Sequence, residues 1–372
     1  MFTKGDDTMQ SRASPRETDR LPQGHSQGTP RGRRLGSWIR RGLVWMLLGL
    51  LTLAVMGAIY QAVATEIDQR TYPPPGEMVD VGDHSLHINC IGQGSPTVIL
   101  ESGLGNMSAD WANVQPEVAN TTRVCAYDRA GTGWSEPGPE PRDPRQIARE
   151  LHTLLGNAGI DGPYVLVGQS FGGLYVRMYA SKYPNEVEGM VLVDASHPGM
   201  WSRLPPEVVA TLKPPAWQVG AMTFLTRLGV FRLTGGDMAE CGLPAQQCKE
   251  EQAYLRSTRY RVTWGQEMFA PDRDAQVRAT EGLGDKPLVV LSAGDHSRDF
   301  AAGVSGTSLT RFERTWHNLQ SELAALSTDS THLVVERAGH STLQMNREDA
   351  QVTSAAIEEV VEAVRTDRPL TQ

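Results

Sequence analysis

YVLVGQSFGGL, residues 164–174, is the stretch of sequence that decides the fold. Its apolar first half predicts a buried strand that ends at Gly168, and a helical pattern begins at Gly172. The turn between them is so tight that only glycine fits at its flanks, and it holds Ser170 in a strained, exposed position. A Gly-x-Ser-x-Gly string alone is common, so the flanking strand and helix carry the argument. Together they predict a nucleophile elbow that presents the Ser170 hydroxyl.

The chain around this stretch alternates strand-like and helical segments. Helices are predicted after Asp143, after the elbow as far as Pro184, and from about Glu348 to Arg365. Apolar runs predict an opening hairpin and then further strands, at 78–81, 86–91, 97–100, 123–128, 164–168, 189–194, 287–295 and 331–335. Repeated alternation of this kind predicts an α/β fold with a parallel sheet covered on both faces.

Residues 199–283 interrupt this alternation. They contain four prolines near the start, apolar helical patches and no strand-like run, which predicts a helical cap inserted between two strands. The cap is rich in aromatic side chains, which suggests an apolar pocket, although such residues more often pack in the cap's own core. They are Trp217, Phe224, Phe231, Tyr254, Tyr260, Trp264 and Phe269.

Charge and hydropathy separate the N-terminus from the rest. The 372-residue chain has a net charge of −8, yet residues 1–41 carry nine Lys/Arg and four Asp/Glu, leaving −13 for the remainder. That acidic remainder argues against nucleic-acid binding. Residues 43–60 are uncharged and long enough as a helix to cross a bilayer. Because arginines precede this run and acidic residues follow it, we expect a cytoplasmic N-terminus and an extracytoplasmic domain.

Two other interpretations of the apolar run stay open. Ala62-Val63-Ala64 fits a signal-peptide cleavage site, which would release a secreted protein near Ala64. A buried core helix is the other alternative, but this run is apolar on all faces. We predict a disordered basic leader at 1–41, a transmembrane anchor at 42–63 and a linker at 64–77. The hydrolase core then occupies 78–198 and 284–366, with the helical cap at 199–283 between its halves and a tail at 367–372.

The four cysteines suit an exported domain. Cys90 and Cys125 lie in strand-like runs, whereas Cys241 and Cys248 are close together in the cap. Two local disulfides are one of three possible pairings, and four buried thiols are the alternative. No Cys-x-x-Cys pair or histidine cluster accompanies them in the sequence, so we expect no metal site.

Four motifs in order resemble the α/β-hydrolase fold superfamily, and more closely its capped bacterial esterase and C–C hydrolase branch. They are Gly168–Gly173, the string YDRAGTGWS at 127–135, Gly294-Asp295 and Gly339-His340. The resemblance covers residues 78–366 and implies an eight-stranded, mostly parallel sheet with a helical lid over the site.

The chemistry of a serine nucleophile assigns roles to residues in this order. A serine hydroxyl needs a histidine to take its proton and a carboxylate to orient that histidine. In the chain order Ser, acid, His, we predict the catalytic residues Ser170, Asp295 and His340. Asp194, at the end of the strand after the elbow, is the alternative acid. The histidines that rival His340 as base are His197, His296 and His332.

The resemblance also implies an oxyanion hole made by backbone N–H groups. Its donors would be Phe171, after the nucleophile, and Leu104, after the third strand. Many relatives have His-Gly at the second position, whereas this chain has Glu101-Ser102-Gly103-Leu104-Gly105, a departure that bears on the substrate class. We expect Asp128 and Arg129 to brace this loop.

The sequence thus predicts a membrane-anchored serine hydrolase that cleaves an ester-like bond in a small, apolar acyl substrate and needs no cofactor. C–C hydrolysis, peptide or thioester cleavage and acyl transfer use the same triad and stay open. A non-catalytic binding or receptor module of the same fold is the alternative from another class.

Overall fold

The computed structural model describes residues 31–235, 241–297, 299–300 and 304–370. Its contacts divide the chain into two units, Met1–Thr52 and Leu53–Gln372. The described part of the first unit is the first half of a long helix. The second unit contains an eight-stranded sheet and the helices around it.

The sheet confirms the predicted α/β-hydrolase architecture. Its strands are β1 Glu77–Asp80, β2 Ser85–Ile91, β3 Thr97–Glu101, β4 Val124–Tyr127, β5 Tyr164–Gln169, β6 Val187–Val193, β7 Leu288–Ala293 and β8 Ser330–Val335. Their order is β1-β2-β4-β3-β5-β6-β7-β8. Strands β1 and β2 form the predicted antiparallel hairpin, and β2 is also antiparallel to β4. The remaining neighbours are parallel.

Helices cover both faces of the sheet and fill the segment between β6 and β7. Their bounds are α1 Arg31–Thr71, α2 Gln115–Val118, α3 Pro144–Asn157, α4 Gly172–Lys182, α5 Met200–Arg203, α6 Pro206–Leu212, α7 Ala216–Arg227, α8 Val230–Thr234, α9 Ala245–Leu255, α10 Thr258–Met268, α11 Arg273–Arg278, α12 Gly306–Ala324, α13 Thr342–Met345 and α14 Arg347–Thr366. Helices α5–α11 follow β6 and precede β7, and no strand interrupts them among the residues described there.

Apolar spacing explains how α3 and α14 pack on the sheet. Helix α3 begins where the sequence predicts, since the Asp143 carboxylate accepts a hydrogen bond from the Gln146 backbone N–H at 2.8 Å. Its buried face, with Ile147 and Leu151, joins the core on one side of the sheet. Helix α14 buries Ile357 on the other side. The sheet therefore has an apolar core on each of its two faces.

Helix α1 is longer at both ends than the predicted span. Within it, Trp38–Thr71 is long and apolar enough to cross a membrane, with a mean hydropathy of 2.2 in its most apolar window and none of that window buried. The helix includes residues 31–41 of the predicted leader, because arginine is a good helix former, while residues 1–30 lie outside the described part. It also continues to Thr71 through the predicted linker, where Arg70 pairs with Glu66 at 2.8 Å.

Two disulfides join the four cysteines in the local pairing. Cys90 faces Cys125 across the antiparallel β2–β4 pair, and the two are bonded. Cys241 is bonded to Cys248, which lies in α9 of the cap. Each bond therefore links segments that the fold already places side by side.

Candidate active site

Ser170 lies in the tight turn between β5 and α4. Its φ is +52°, in the left-handed region that non-glycine residues rarely adopt. Small neighbours make this turn possible: a Cβ at Gly168 would come 2.7 Å from the Gly173 nitrogen, and one at Gly172 would collide with the Glu101 carbonyl. The strand, turn and helix thus have the geometry of the predicted elbow.

Asp194, and not Asp295, is the carboxylate against the ring of His340. The distance from Asp194 Oδ2 to His340 Nδ1 is 2.6 Å. The carboxylate of Asp295 instead accepts a hydrogen bond from the Ser297 backbone N–H at 2.9 Å. Asp194 directly follows β6, the strand next to the one that carries Ser170, whereas Asp295 follows β7, one strand further away. The structure thus brings the alternative acid, Asp194, against His340, and does not bring the predicted Asp295 there.

The Asp194 carboxylate is fully buried and has several hydrogen-bond donors. Oδ1 accepts hydrogen bonds from the Trp316 indole at 2.7 Å and from the Ala293 backbone N–H at 3.1 Å. Oδ2 contacts His296 Nε2 at 3.0 Å as well as His340. Burial favours the neutral acid, but His296 and His340 outweigh it and hold the pKa of Asp194 well below its usual range. Asp194 is therefore ionised at neutral pH.

His296 lies between two carboxylates. Its Nε2 faces Asp194 and its Nδ1 lies 3.0 Å from Glu313 Oε2. Burial alone would lower the pKa of His296, but the two acidic partners raise it to about 10. The ring is thus an imidazolium at neutral pH with both nitrogens engaged, so it cannot take a proton from Ser170.

The two other rival bases have separate structural partners. Burial lowers the pKa of His197 to about 4, and its Nδ1 accepts a hydrogen bond from the Gly199 backbone N–H at 3.0 Å. The Nε2 atom of His332 lies 2.7 Å from Ser292 Oγ. Of the four histidines that we considered, His340 and His296 line the cavity that contains Ser170.

The side chain before the nucleophile also reaches His340. Gln169 Nε2 lies 3.3 Å from His340 Nε2 and 3.4 Å from the His340 carbonyl oxygen. With Nδ1 donating to Asp194, Nε2 of His340 is the nitrogen that can accept a proton. Gln169 therefore contacts the same ring atom that a base would use.

Arg129 braces the predicted oxyanion loop, as expected. Its guanidinium donates hydrogen bonds to the carbonyl oxygens of Ser102 at 2.6 Å and Gly103 at 2.7 Å. It also pairs with Glu101 on β3 at 2.6 Å and with Glu267 on α10 at 2.8 Å. This buried ion pair links the loop before Leu104 to the cap. Asp128 braces the neighbouring segment by accepting hydrogen bonds from the backbone N–H groups of Ser108 at 2.7 Å and Trp134 at 3.0 Å.

Ser170 and His340 line one cavity of about 340 Å³. Leu104 and Phe171, whose N–H groups we predict to bind an oxyanion, also line it. The remaining wall is mostly apolar and comes from Met200, Trp201, Leu212, Trp264, Met268, Phe300, Phe312 and Trp316. Of the seven cap aromatics noted in the sequence, Trp264 alone is part of this wall.

Among the residues that the structure describes, three side chains of the site carry atoms that could bind a metal. Ligand atoms of Asp194, His296 and His340 lie within 4.8 Å of one another. Asp194 Oδ2 and His340 Nδ1 are only 2.6 Å apart, however. Two ligands of a tetrahedral metal at ~2.1 Å would be ~3.4 Å apart. The spacing fits a hydrogen bond instead.

Comparisons with known proteins show the family of the chain. The family model described as "alpha/beta hydrolase fold" matches residues 96–296, and the chain belongs to that family. The uncharacterized protein YqjL of Bacillus subtilis is 24% identical over 277 residues, covering 72% of this chain and 85% of YqjL.

Two solved structures illustrate the likeness of fold. The haloalkane dehalogenase DbeA from Bradyrhizobium elkani has a TM-score of 0.58 at 16% identity, covering 78% of this chain and 98% of DbeA. A thermophilic esterase from Thermogutta terrifontis has a TM-score of 0.51 at 20% identity, covering 77% of this chain and 98% of the esterase. These identities establish a shared fold, and the chemistry has to be argued from the site.

Proposed function

We propose that this protein is a serine hydrolase that cleaves an ester-like bond through an acyl-enzyme. Ser170 is the nucleophile, His340 the general base and Asp194 the acid that orients His340. The observation that carries the proposal is the 2.6 Å contact between Asp194 Oδ2 and His340 Nδ1 beside a cavity that Ser170 also lines. That contact fixes the imidazole tautomer whose Nε2 accepts a proton.

The reaction follows from these roles. Ser170 Oγ attacks the substrate carbonyl and gives its proton to His340 Nε2, while the carbonyl electron pair becomes an oxyanion. The backbone N–H groups of Phe171 and Leu104 donate to that oxyanion. The carbonyl re-forms as the alcohol leaves with the proton from His340. Water then attacks the acyl-enzyme, with His340 again taking and returning a proton, and releases the acid and Ser170.

The cavity supports a small, apolar acyl or aromatic substrate. Its volume of about 340 Å³ and its aromatic wall suit a short apolar ester. A serine at position 170 disfavours dehalogenase and epoxide hydrolase chemistry, which the resemblance associates with a carboxylate nucleophile. C–C, peptide and thioester substrates use the same triad, so p-nitrophenyl esters of increasing chain length should be compared with a matched thioester and anilide.

We further propose that α1 anchors the enzyme, with residues 43–60 in the bilayer and the catalytic domain on the extracytoplasmic side. The exposed apolar surface of Trp38–Thr71 supports an anchor. Mass measurement of the mature membrane-bound protein tests it. A protein shorter by about 64 residues would show cleavage near Ala64 and a secreted enzyme instead.

A fluorophosphonate probe tests the enzymatic proposal directly. Wild type should be labelled and Ser170→Ala should not, because the probe reports an activated serine. Ser196→Ala is the matched control, since Ser196 lines the same cavity and should leave labelling intact. No labelling of folded wild type, or equal labelling of Ser170→Ala, would favour a binding module over a hydrolase.

A further inference from the structure

Helices α7 and α8 of the cap carry an exposed apolar surface. On α7, Trp217 is 74% exposed, Phe224 59% and Leu225 39%, and Leu233 on α8 is 68% exposed. The spacing i, i+7, i+8 places the three α7 residues along one face of the helix. We call these four side chains the cap patch. Exposed apolar side chains grouped on neighbouring helices are a feature of surfaces that bind a protein or a membrane.

The corner between α7 and α8 packs on the second half of α1. The contact is close, because a Cβ at Gly57 would collide with the Leu228 carbonyl oxygen and one at Gly229 would come 3.0 Å from the Tyr60 ring. All four residues belong to the unit Leu53–Gln372. The apolar end of α1 therefore contacts the corner that separates Phe224 and Leu225 from Leu233.

Polar contacts hold the next turns of α1 to the cap. Asp68 pairs with Arg232 at 2.6 Å, and Gln61 Nε2 donates to the Arg256 carbonyl oxygen at 2.9 Å. Arg232 also donates to Gln61 Oε1 at 3.2 Å. Close packing at Gly57 and Tyr60 thus gives way to side-chain hydrogen bonds and an ion pair from Gln61 onward, as it would where a helix leaves a bilayer.

The length of α1 can be compared with the thickness of a membrane, which gives the depth at which α1 contacts the cap. A bilayer core takes about 20 helical residues, so a span that begins at Leu43 ends near Ala62. Gly57 lies five residues earlier, which is about 8 Å along the helix axis at ~1.5 Å per residue. On the proposed span, the backbone that packs on Gly57 therefore lies inside the edge of the acyl-chain region, at the roughly 5–10 Å depth to which an interfacial helix buries its apolar face.

We propose that the cap patch is a second membrane contact, with its four apolar side chains inserted at the surface of the leaflet that α1 leaves. This inference rests on the proposed anchor. Tryptophan at the edge of the patch suits this interface, and the exposed Arg227 on the same helix can attract anionic head groups. A bilayer accounts for both the patch and its position beside α1, which a soluble partner does not.

Lipid-borne quenching tests the proposal on the full-length protein in phosphatidylcholine–phosphatidylglycerol vesicles. All four native cysteines are in disulfides, so a single introduced cysteine can carry an environment-sensitive fluorophore. Labels at Phe224→Cys, Leu53→Cys and Val352→Cys compare the patch, the anchor and an exposed apolar position on α14. Far-ultraviolet circular dichroism and the melting temperature establish that each labelled protein is folded.

Doxyl lipids should remove about half of the emission at position 224, as expected for a group inserted roughly 5–10 Å below the head groups, and little at position 352. Quenching at 53 without quenching at 224 would overturn the cap contact and leave the anchor standing. An unquenched label at 53 would overturn the anchor itself. Blue-shifted emission at 224 without lipid quenching would show that a second protein copy covers the patch, and would also overturn the proposal.

Discussion

His296 Nε2 lies 3.0 Å from Oδ2 of Asp194. The same oxygen contacts His340 Nδ1 at 2.6 Å, so one carboxylate oxygen faces two imidazole rings. Glu313 on the far side of His296 keeps that ring protonated, since a cation between two carboxylates is favoured. In the proposed mechanism His296 is therefore a positioning residue: it fixes and neutralises Asp194, and it leaves His340 to exchange protons with Ser170.

The contact of Asp194, and not of Asp295, with His340 leads to a paired test. Asp194→Asn should lower kcat by about 10³- to 10⁴-fold with little change in KM, because the amide stabilises the wrong imidazole tautomer. Asp295→Asn is the matched control and should stay within a few-fold of wild type, judged on the same p-nitrophenyl ester. A large loss in Asp295→Asn with an active Asp194→Asn would reverse the assignment.

The protonation of His296 predicts a particular dependence of stability on pH. Its pKa is about 10 in the folded protein and about 6.5 when unfolded, so its stabilising contribution is complete below pH 6.5 and is lost as the pH rises through about 10. The melting temperature of wild type should therefore fall more steeply over this window than that of His296→Gln. Calorimetric scans from pH 6 to 10 measure the difference, and parallel curves would contradict a charged His296. His317→Gln, at an exposed histidine, is the control.

Part of the candidate site could be predicted from the sequence, and the carboxylate that contacts His340 could not. Ser170 and its elbow could be predicted because local chain sterics determine them, and His340 because it follows a strand near the C-terminus of the domain. The carboxylate that contacts His340 could not be predicted, since Asp194 and Asp295 follow neighbouring strands that end at the same edge of the sheet. The choice depends on Trp316 and Glu313 of α12, a helix that we did not predict and that reaches Asp194 across 122 residues of sequence.

The buried ion pairs of Arg129 offer a test of what stabilises the loop before Leu104. Arg129→Met should lower the free energy of unfolding by about 3–5 kcal/mol at pH 8, because it leaves Glu101 and Glu267 buried without their cation. Burial already raises the pKa of Glu101 to about 7, so the cost should be smaller at pH 5, where that carboxyl is neutral. Urea denaturation at both pH values measures this.

An exposed pair supplies the control for that experiment. Arg203 pairs with Glu322 at 2.7 Å, but both side chains are more than a third exposed. Arg203→Met should therefore cost less than about 1 kcal/mol. Equal losses of unfolding free energy in the two arginine variants would mean that burial of the ion pairs of Arg129 does not matter to stability.

The two disulfides should contribute different amounts to the free energy of unfolding. Cys90 and Cys125 are 35 residues apart, and Cys241 and Cys248 only 7. Chain-entropy arguments predict losses of about 4 kcal/mol and about 2 kcal/mol on replacing each pair by alanine. Urea denaturation of the Cys90→Ala/Cys125→Ala and Cys241→Ala/Cys248→Ala variants should give that order, and the reverse order would show that native packing, not loop closure, decides the contribution.

A membrane-seated cap should affect how the enzyme uses substrates that reside in lipid. Thr211 and Leu212 line the cavity and precede Trp217 by only six and five residues, so a short segment of chain joins the cavity wall to the cap patch. A carboxylate at Phe224 would resist entry into the interface, because a charged group is costly there. Phe224→Asp should therefore hydrolyse a long-chain ester in vesicles several-fold more slowly than wild type, while its kcat on a short soluble ester is unchanged. Val352→Asp introduces the same charge at another exposed apolar position and should alter neither rate. Equal losses on both substrates would mean that the substitution perturbs the cavity and not membrane contact.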